Sequence, residues 1–358
     1  MHAADPSSSR STNAEIGWWL FVLLACAQFT IRYVWRNAPY LDLPAYAHGT
    51  GMMPFQGRVL MAWVFKFSAA SPHWSGVLMR LGEHLPEDLR NPYSVALLIV
   101  NFPAMVVCIL AGRRTLYLLT GDATFSAWGS LLLLYMAYFN LVVGYGVFLL
   151  PYDVLSLTVF VVSVWLILAK RYAALTLVVA IGTLNRETVV FVPIFLAIYT
   201  WFKHKYAEQK SEISRRSWAT VLPFVGVQLL IWLALRMWIE HHFRNNPLEG
   251  SMPTRWFGIR LFGNLRSLLK PPQWALLLSL FGFTLPLFIA KFKKIGDRAL
   301  AHATAVLMGL WALAMLFVGV VIEIRIFSEL TAFLMPCVAL ILWNEWVRPA
   351  ARGRAEIR

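Results

Sequence analysis

Residues 172–202 read YAALTLVVAIGTLNRETVVFVPIFLAIYTWF, and this stretch decides how the chain is expected to fold. Two apolar pieces, 172–184 and 189–202, flank the polar residues Asn185-Arg186-Glu187-Thr188. Each piece has about 13 residues, or roughly 20 Å of helix, which is shorter than the roughly 30 Å hydrocarbon core of a bilayer. We therefore predict two short membrane segments whose polar connection is recessed within the membrane thickness.

Eight other apolar runs are long enough to cross a bilayer on their own, since a spanning helix needs about 20 residues. They are 16–35, 93–112, 124–150, 153–169, 217–240, 273–291, 299–322 and 327–347. With 59% hydrophobic and 14% charged residues in 358, the composition is far more apolar than that of soluble domains. The sequence thus predicts an all-α integral membrane protein.

The positions of Lys and Arg set the expected orientation, because cations are retained on the cytoplasmic side of a membrane. Arg113-Arg114, Lys170-Arg171, the stretch 203–216 and Lys291–Arg298 all lie between apolar runs. For Lys170-Arg171 and 203–216 to share a side, 172–202 must form a hairpin. This gives about ten transmembrane segments with both termini cytoplasmic: a disordered tail 1–15, one polytopic domain 16–347, and a basic tail 348–358.

The same composition excludes other classes of protein. The net charge of +14 is carried mostly by these short clusters, so nucleic-acid binding is not expected. The three cysteines, Cys26, Cys108 and Cys337, each lie in an apolar run without disulfide or metal-ligand spacing. No cofactor and no metal are predicted, and the sequence leaves the oligomeric state open.

Unusual polar residues gather on the predicted outer side. The first outer loop, 36–92, contains Asp42, Arg58 and the stretch 59–70, which we expect to form an amphipathic helix in the interface. The remaining groups are Asp153, the Asn185-Arg186-Glu187 tip, the basic loop 241–272 with Arg255 and Arg260, and the set Glu323, Arg325 and Glu329. Ionisable groups at membrane depth usually pair or line an aqueous cavity.

Arginines beside carboxylates suit a site that binds a phosphate while a carboxylate takes a proton from an acceptor hydroxyl. Structural roles are equally consistent with these residues. Asp42 can order a loop between two prolines, and Asp153 can be a helix N-terminal acid. Arg186 and Glu187 can form a buried ion pair, as can Arg325 and Glu329, which are four residues apart. The loop 241–272 can dock on anionic head groups.

The pattern resembles the GT-C superfamily of membrane glycosyltransferases. The resemblance is carried by Asp42 after the first span, the interfacial stretch 59–70, Pro151-Tyr152-Asp153 opening a span, and the Asn185-Arg186-Glu187 turn. Segments such as Pro54–Leu60 are also similar to uncharacterised bacterial polytopic proteins, which implies a bacterial inner membrane. Many GT-C enzymes have two adjacent acids in the first outer loop, whereas Asp42 stands alone between Leu41 and Leu43.

The resemblance implies sugar transfer from a polyprenyl-phosphate donor to an envelope glycan or lipid acceptor on the outer face. Asp42 is the predicted general base, and Glu187 is the second predicted catalytic residue. Predicted substrate-binding residues are Arg58, Asp153, Asn185, Arg186, Arg255, Arg260, Glu323, Arg325 and Glu329. The expected partners are the lipid-linked donor and membrane lipids. A transporter or flippase of a lipid-linked saccharide and a non-catalytic membrane scaffold stay open as alternatives.

Overall fold

A computed structural model describes residues 6–37, 39–143, 148–207, 212–249 and 260–349. In these residues the regular structure is helical, apart from the isolated bridges Pro39–Leu149 and Met53–Leu248. The α-helices are α1 (Pro6–Arg36), α2 (Leu43–Ala47), α3 (Val59–Phe67), α4 (Pro72–Gly82), α5 (Pro92–Thr120), α6 (Ala123–Gly129), α7 (Leu132–Tyr138), α8 (Asp153–Leu168), α9 (Tyr172–Asn185), α10 (Phe191–Tyr206), α11 (Glu212–His242), α12 (Leu261–Leu268), α13 (Pro271–Leu278), α14 (Thr284–Ala290), α15 (Arg298–Val318) and α16 (Thr331–Leu342).

Six helical stretches in the described residues are long and apolar enough to cross a membrane, which supports an integral membrane protein. They are Asn13–Arg36, Pro92–Thr120, Ala123–Val143, Trp218–His242, Arg298–Val318 and Ile324–Val347. A seventh results if α13 and the bent segment after it count as one span. The predicted segments 153–169 and 172–184 are shorter helices, and α8 with its 16 residues is about 24 Å long.

The helices differ sharply in how much of their apolar surface other helices cover. In the most apolar window of Ile324–Val347, 89% of residues are buried, against 17% in Trp218–His242. α16 packs against α5, α7 and α8, so it is central. α11 packs against α9 and α10 and leaves Leu230, Leu233 and Met237 exposed. An apolar face of this kind is suited to contact with lipid.

Two further elements differ from the sequence expectation. Helix α1 begins at Pro6, so residues 6–15 of the expected disordered tail are helical; proline fits the first position of a helix because its missing N–H costs no hydrogen bond there. The predicted span 273–291 is broken into two pieces that meet at 67°. The break lies at Phe281–Phe283, where Gly282 has φ +64° and the side chain of Asn140 accepts the N–H of Phe281 at 2.9 Å.

The stretch 59–70 in the first connecting loop contains helix α3, as the sequence predicts. Val59, Met61, Ala62 and Phe65 are buried, and α3 packs against α2 and α9. Phe67 is 70% exposed. One face of α3 therefore fixes it to the bundle. Because α3 begins directly after Arg58, this packing also positions that arginine.

Candidate functional site

Three helix boundaries bring charged side chains together at one end of the bundle. Asp153 is the first residue of α8, and Arg186 follows α9 in an extended conformation, φ −160° and ψ 140°, that ends the helix. Residues 324–330 form a 3₁₀ helix directly before α16. Because α8 packs against both α9 and this 3₁₀ helix, residues from distant parts of the chain meet in one cluster.

Arg58 and Glu187 form a two-point ion pair. Nη2 of Arg58 lies 2.7 Å from Oε1 of Glu187, and Nε donates to Oε2 at 3.2 Å. Nη1 of Arg58 donates to the hydroxyl of Tyr152, and the guanidinium carbon lies 4.3 Å from the centre of that ring. Trp232 of α11 donates its indole N–H to the main-chain oxygen of Glu187 at 2.8 Å. These contacts fix Glu187 at the edge of the cluster, where its side chain is 32% exposed.

Arg186 is held between two fully buried acids. Its Nη1 lies 3.1 Å from Oδ1 of Asp153 and 2.6 Å from Oε1 of Glu329. Thr188 and Ser328 add hydroxyl hydrogen bonds to Glu329 at 3.4 and 3.3 Å. Buried charges with this many partners hold helices in a defined arrangement, and removing one partner leaves an uncompensated charge.

Arg325 connects Asp153 to the cluster's outer edge. Its Nη2 lies 2.7 Å from Oε2 of Glu323, and its Nη1 lies 3.8 Å from Oδ2 of Asp153. The sequence reading that Arg325 pairs with Glu329 on one helix face is wrong, because this segment is a 3₁₀ helix. With three residues per turn, positions four apart do not share a face. Glu329 turns to Arg186 instead.

The side chain of Asn185 holds two helices together and is not available to a ligand in the cavity. Its Nδ2 donates to the main-chain oxygen of Tyr152 and to Oγ of Ser156, both at 3.0 Å. It is completely buried and does not line the adjacent cavity. Asn185 thus joins the end of α9 to the start of α8 and places Arg186 beside Asp153.

A cavity of about 370 Å³ opens beside this cluster. The described residues that line it include five arginines and four glutamates: Arg58, Arg186, Arg236, Arg260, Arg325, Glu187, Glu240, Glu249 and Glu323. Its other walls are apolar and aromatic, with Trp232, Leu233 and Met237 from α11 and Met315 and Val318 from α15. Both helices are candidate membrane spans. The cavity therefore joins a charged floor to walls formed by two candidate membrane spans.

Arg236 and Glu240 line the cavity but are not among the site residues predicted from the sequence. Neither forms an ion pair with any residue that the structure describes, and Arg236 donates only a 3.4 Å hydrogen bond, to the main-chain oxygen of Gly57. The pattern that could have found them is Trp232, Arg236 and Glu240 at intervals of four in an apolar helix, which places all three on one face. By apolar content alone, both residues belong to the end of the predicted span 217–240.

Asp42 does not join the cluster. Its side chain caps α2, since Oδ1 accepts the main-chain N–H of Ala45 at 3.0 Å, and it is exposed and absent from the cavity wall. An aspartate before a proline-containing first turn is well suited to this capping role. The structure thus supports the structural reading of Asp42, and the two conformationally restricted prolines around it explain why the loop turns there.

The basic loop 241–272 is described only in part. Arg255 lies outside the described residues. Arg260 lies 3.3 Å from Oε2 of Glu249, and Tyr40 donates its hydroxyl proton to Oε1 of the same carboxylate at 2.5 Å. This hydrogen bond, together with burial, raises the pKa of Tyr40 to about 12, because the neutral phenol is the donor. Tyr40 and Glu249 thereby join the first loop to this one at the cavity rim.

No family model, curated protein or solved structure matches this chain. Among the described residues, no group of three or more His, Cys, Asp or Glu side chains could hold a metal ion. The chemistry of the cavity is therefore inferred from its arginines, its glutamates and its apolar wall.

Proposed function

We propose that this chain transfers a sugar from a polyprenyl-phosphate donor to an envelope glycan or lipid acceptor, with the charged cavity as the reaction site. The observation that carries the proposal is that Arg236 and Glu240 both line that cavity. One is an arginine and the other a carboxylate, and neither is neutralised by an ion pair within the described chain. Every other lining arginine of the described residues has a carboxylate partner.

Arg236 would bind the donor phosphate. Arginine offers paired N–H donors that match phosphate oxygens, and such charge-assisted hydrogen bonds are strong. Arg58, Arg186 and Arg325 contribute positive potential from the cavity floor, although their own acids offset part of it. The exposed Leu233 and Met237 adjoin the same cavity, so the donor's isoprenoid chain can stay in the lipid while its phosphate enters.

Glu240 takes the role that the sequence assigned to Asp42. In the reaction, the acceptor hydroxyl oxygen forms a bond to the anomeric carbon, and the bond from that carbon to the donor phosphate oxygen breaks. The lipid phosphate leaves with the electron pair, and the hydroxyl proton passes to the carboxylate of Glu240. Glu187 is already engaged at two points by Arg58, so it orients the arginine rather than accepting the proton.

The proposal also includes the number of membrane segments and the side of the membrane on which the cavity opens. We propose ten membrane segments with a recessed hairpin at 172–202 and both termini cytoplasmic, so that the cavity opens at the outer face of a bacterial inner membrane. Labelling of single cysteines introduced at Glu240 and at Arg348 with a membrane-impermeant reagent tests this. Only the first is expected to react in intact right-side-out vesicles.

The deciding experiment incubates purified, reconstituted protein with a radiolabelled pool of polyprenyl-phosphate sugars and an envelope acceptor fraction. Wild type is expected to release lipid phosphate and label the acceptor. Glu240→Gln should lower turnover by about 10²–10⁴, the typical contribution of a general base. Arg236→Gln should mainly weaken donor binding, by about 10–100-fold.

Glu83→Gln serves as the matched control, because Glu83 caps α4 with its main chain only and does not line the cavity. Wild-type protein that produces no labelled acceptor from any sugar in the pool, although it is folded, would refute the transferase. A transporter would instead move the labelled lipid across the vesicle membrane without consuming it.

A further inference from the structure

A second cavity, of about 580 Å³, lies at the other ends of helices that form the first one. α8 runs from Asp153 in the charged cluster to Leu168 in the second cavity, and α10 runs from Phe191 toward Lys203. α15 and α16 also contribute to both ends of the bundle, in opposite chain directions. The positive-inside rule predicts that this second end is cytoplasmic.

The wall of this cavity combines cations with aromatic and amide side chains. Its residues include Lys203, Arg348, Asp297, Asn344, Tyr199 and Trp343. Lys203 lies over the ring of Tyr199, with Nζ 5.2 Å from the ring centre. In the chain as described, neither Lys203 nor Arg348 forms an ion pair.

Two lysines at the same end, Lys291 and Lys294, are neutralised by one acid, whereas Lys203 and Arg348 line the cavity and have no ion pair among the described residues. Glu345 binds Lys291 at 2.7 Å and Lys294 at 3.6 Å, so the nearest acid on the segment 343–347 is already engaged. Asp297 is the acid in the cavity wall, and its Oδ1 accepts the N–H of Leu300 at 2.9 Å as a helix cap. The ionised side chains of the wall therefore carry one more positive than negative charge.

We infer that this cavity binds the headgroup of an acidic phospholipid from the adjoining leaflet. A monoanionic phosphodiester neutralises the surplus charge when its oxygens accept from Lys203 and Arg348. Tyr199 adds a hydroxyl to the cavity wall, whereas the amide nitrogen of Asn344 already donates to the main-chain oxygens of Lys294 and Ile295. The cavity lies at the ends of Arg298–Val318 and Ile324–Val347, both candidate spans, so a headgroup reaches it while the acyl chains remain in the bilayer. Basic pockets between membrane helices are known to select anionic headgroups.

The test measures lipid binding to the purified full chain by native mass spectrometry, with phosphatidylglycerol, phosphatidylcholine and inorganic phosphate as separate probes. Phosphatidylglycerol is expected to bind about tenfold more tightly than phosphatidylcholine, in line with the attraction of two cations for an anionic headgroup. The double variant Lys203→Gln/Arg348→Gln should remove this preference. The matched variant Lys293→Gln/Arg298→Gln removes the same charge from exposed cations at this end that do not line the cavity, and it should keep the preference.

Three results would overturn the inference. Equal loss of preference in both double variants would show general attraction to a basic surface. Inorganic phosphate that binds as tightly as phosphatidylglycerol would show a site for soluble anions. Absence of any preference in wild type would show no site. If the first double variant does not fold, two other tests replace it. The charge-preserving variant Lys203→Arg/Arg348→Lys must keep the preference for phosphatidylglycerol, and each single glutamine variant must lower that preference.

Discussion

Arg58 and Glu187 are 129 residues apart in the chain, yet their side chains form two hydrogen bonds. Nη2 of Arg58 lies 2.7 Å from Oε1 of Glu187, and Nε lies 3.2 Å from Oε2. The pair joins the start of α3 to the break between α9 and α10. Because Trp232 also binds the main chain of Glu187, α11 is fixed to the same point. This contact and the packing of α11 on α9 and α10 together position the cavity wall that carries Arg236 and Glu240.

Glu187→Gln is expected to destabilise the protein by about 2 kcal/mol, since Arg58 keeps only its bond to Tyr152 and loses its counter-ion. This is below the roughly 3–5 kcal/mol for a fully buried pair, because the Glu187 side chain is 32% exposed. Chemical denaturation in detergent measures the change. The double variant Arg58→Met/Glu187→Leu should cost less than the two single changes together. Strict additivity would show that the pair contributes no coupling.

Arg186→Met should destabilise the fold by about 3–5 kcal/mol, because Asp153 and Glu329 would then be buried with too little positive charge. Adding Glu329→Met removes one of the two acids and should restore part of the loss. Folding yield in membranes and unfolding in detergent are the measurements. A single variant as stable as wild type would mean that water already reaches these acids.

Six of the eight long apolar runs in the sequence contain a candidate membrane span, because each of these helices depends on one continuous run of residues. The sequence grouped Arg58, Arg186, Arg325, Asp153 and Glu329 with Asp42, since ionisable groups at membrane depth usually pair or line a cavity. The first five lie in one cluster, whereas Asp42 does not. The partners within that cluster could not be predicted. They depend on a 3₁₀ helix at 324–330 and on an extended Arg186, and neither conformation follows from apolar periodicity.

Arg236 and Asp42 show two opposite errors in the prediction of site residues from the sequence. Arg236 lies inside an apolar run, which predicts a plain membrane span, although its spacing from Trp232 and Glu240 marks one helix face. Asp42 is an isolated acid in a loop, for which the sequence predicts a catalytic role, whereas in the structure it caps a five-residue helix. In both cases the role of the charged residue depends on tertiary packing, which the local sequence does not show.

Asp42→Asn is expected to leave stability and sugar transfer unchanged, because an asparagine oxygen caps α2 as well as a carboxylate does. Asp42→Ala should cost about 1 kcal/mol through loss of the cap. Unfolding in detergent and the radiolabelled transfer assay are run on both variants. Loss of transfer in the asparagine variant at full stability would return Asp42 to the catalytic role.

Tyr40 gives a pH-dependent prediction at the cavity rim. Its hydrogen bond to Glu249 and its partial burial raise the pKa of Tyr40 from about 10 to about 12, so the neutral phenol is stabilised in the folded state. This contribution is complete below pH about 10 and is lost as the pH rises through about 12. The pKa of Tyr40 is measured from the rise of tyrosinate absorbance with pH, taken as the difference between wild type and Tyr40→Phe. Glu249→Gln should move the titration of Tyr40 back toward its ordinary range, whereas Glu83→Gln should not. A Tyr40 titration unaffected by Glu249→Gln would contradict the assignment of the shift to that hydrogen bond.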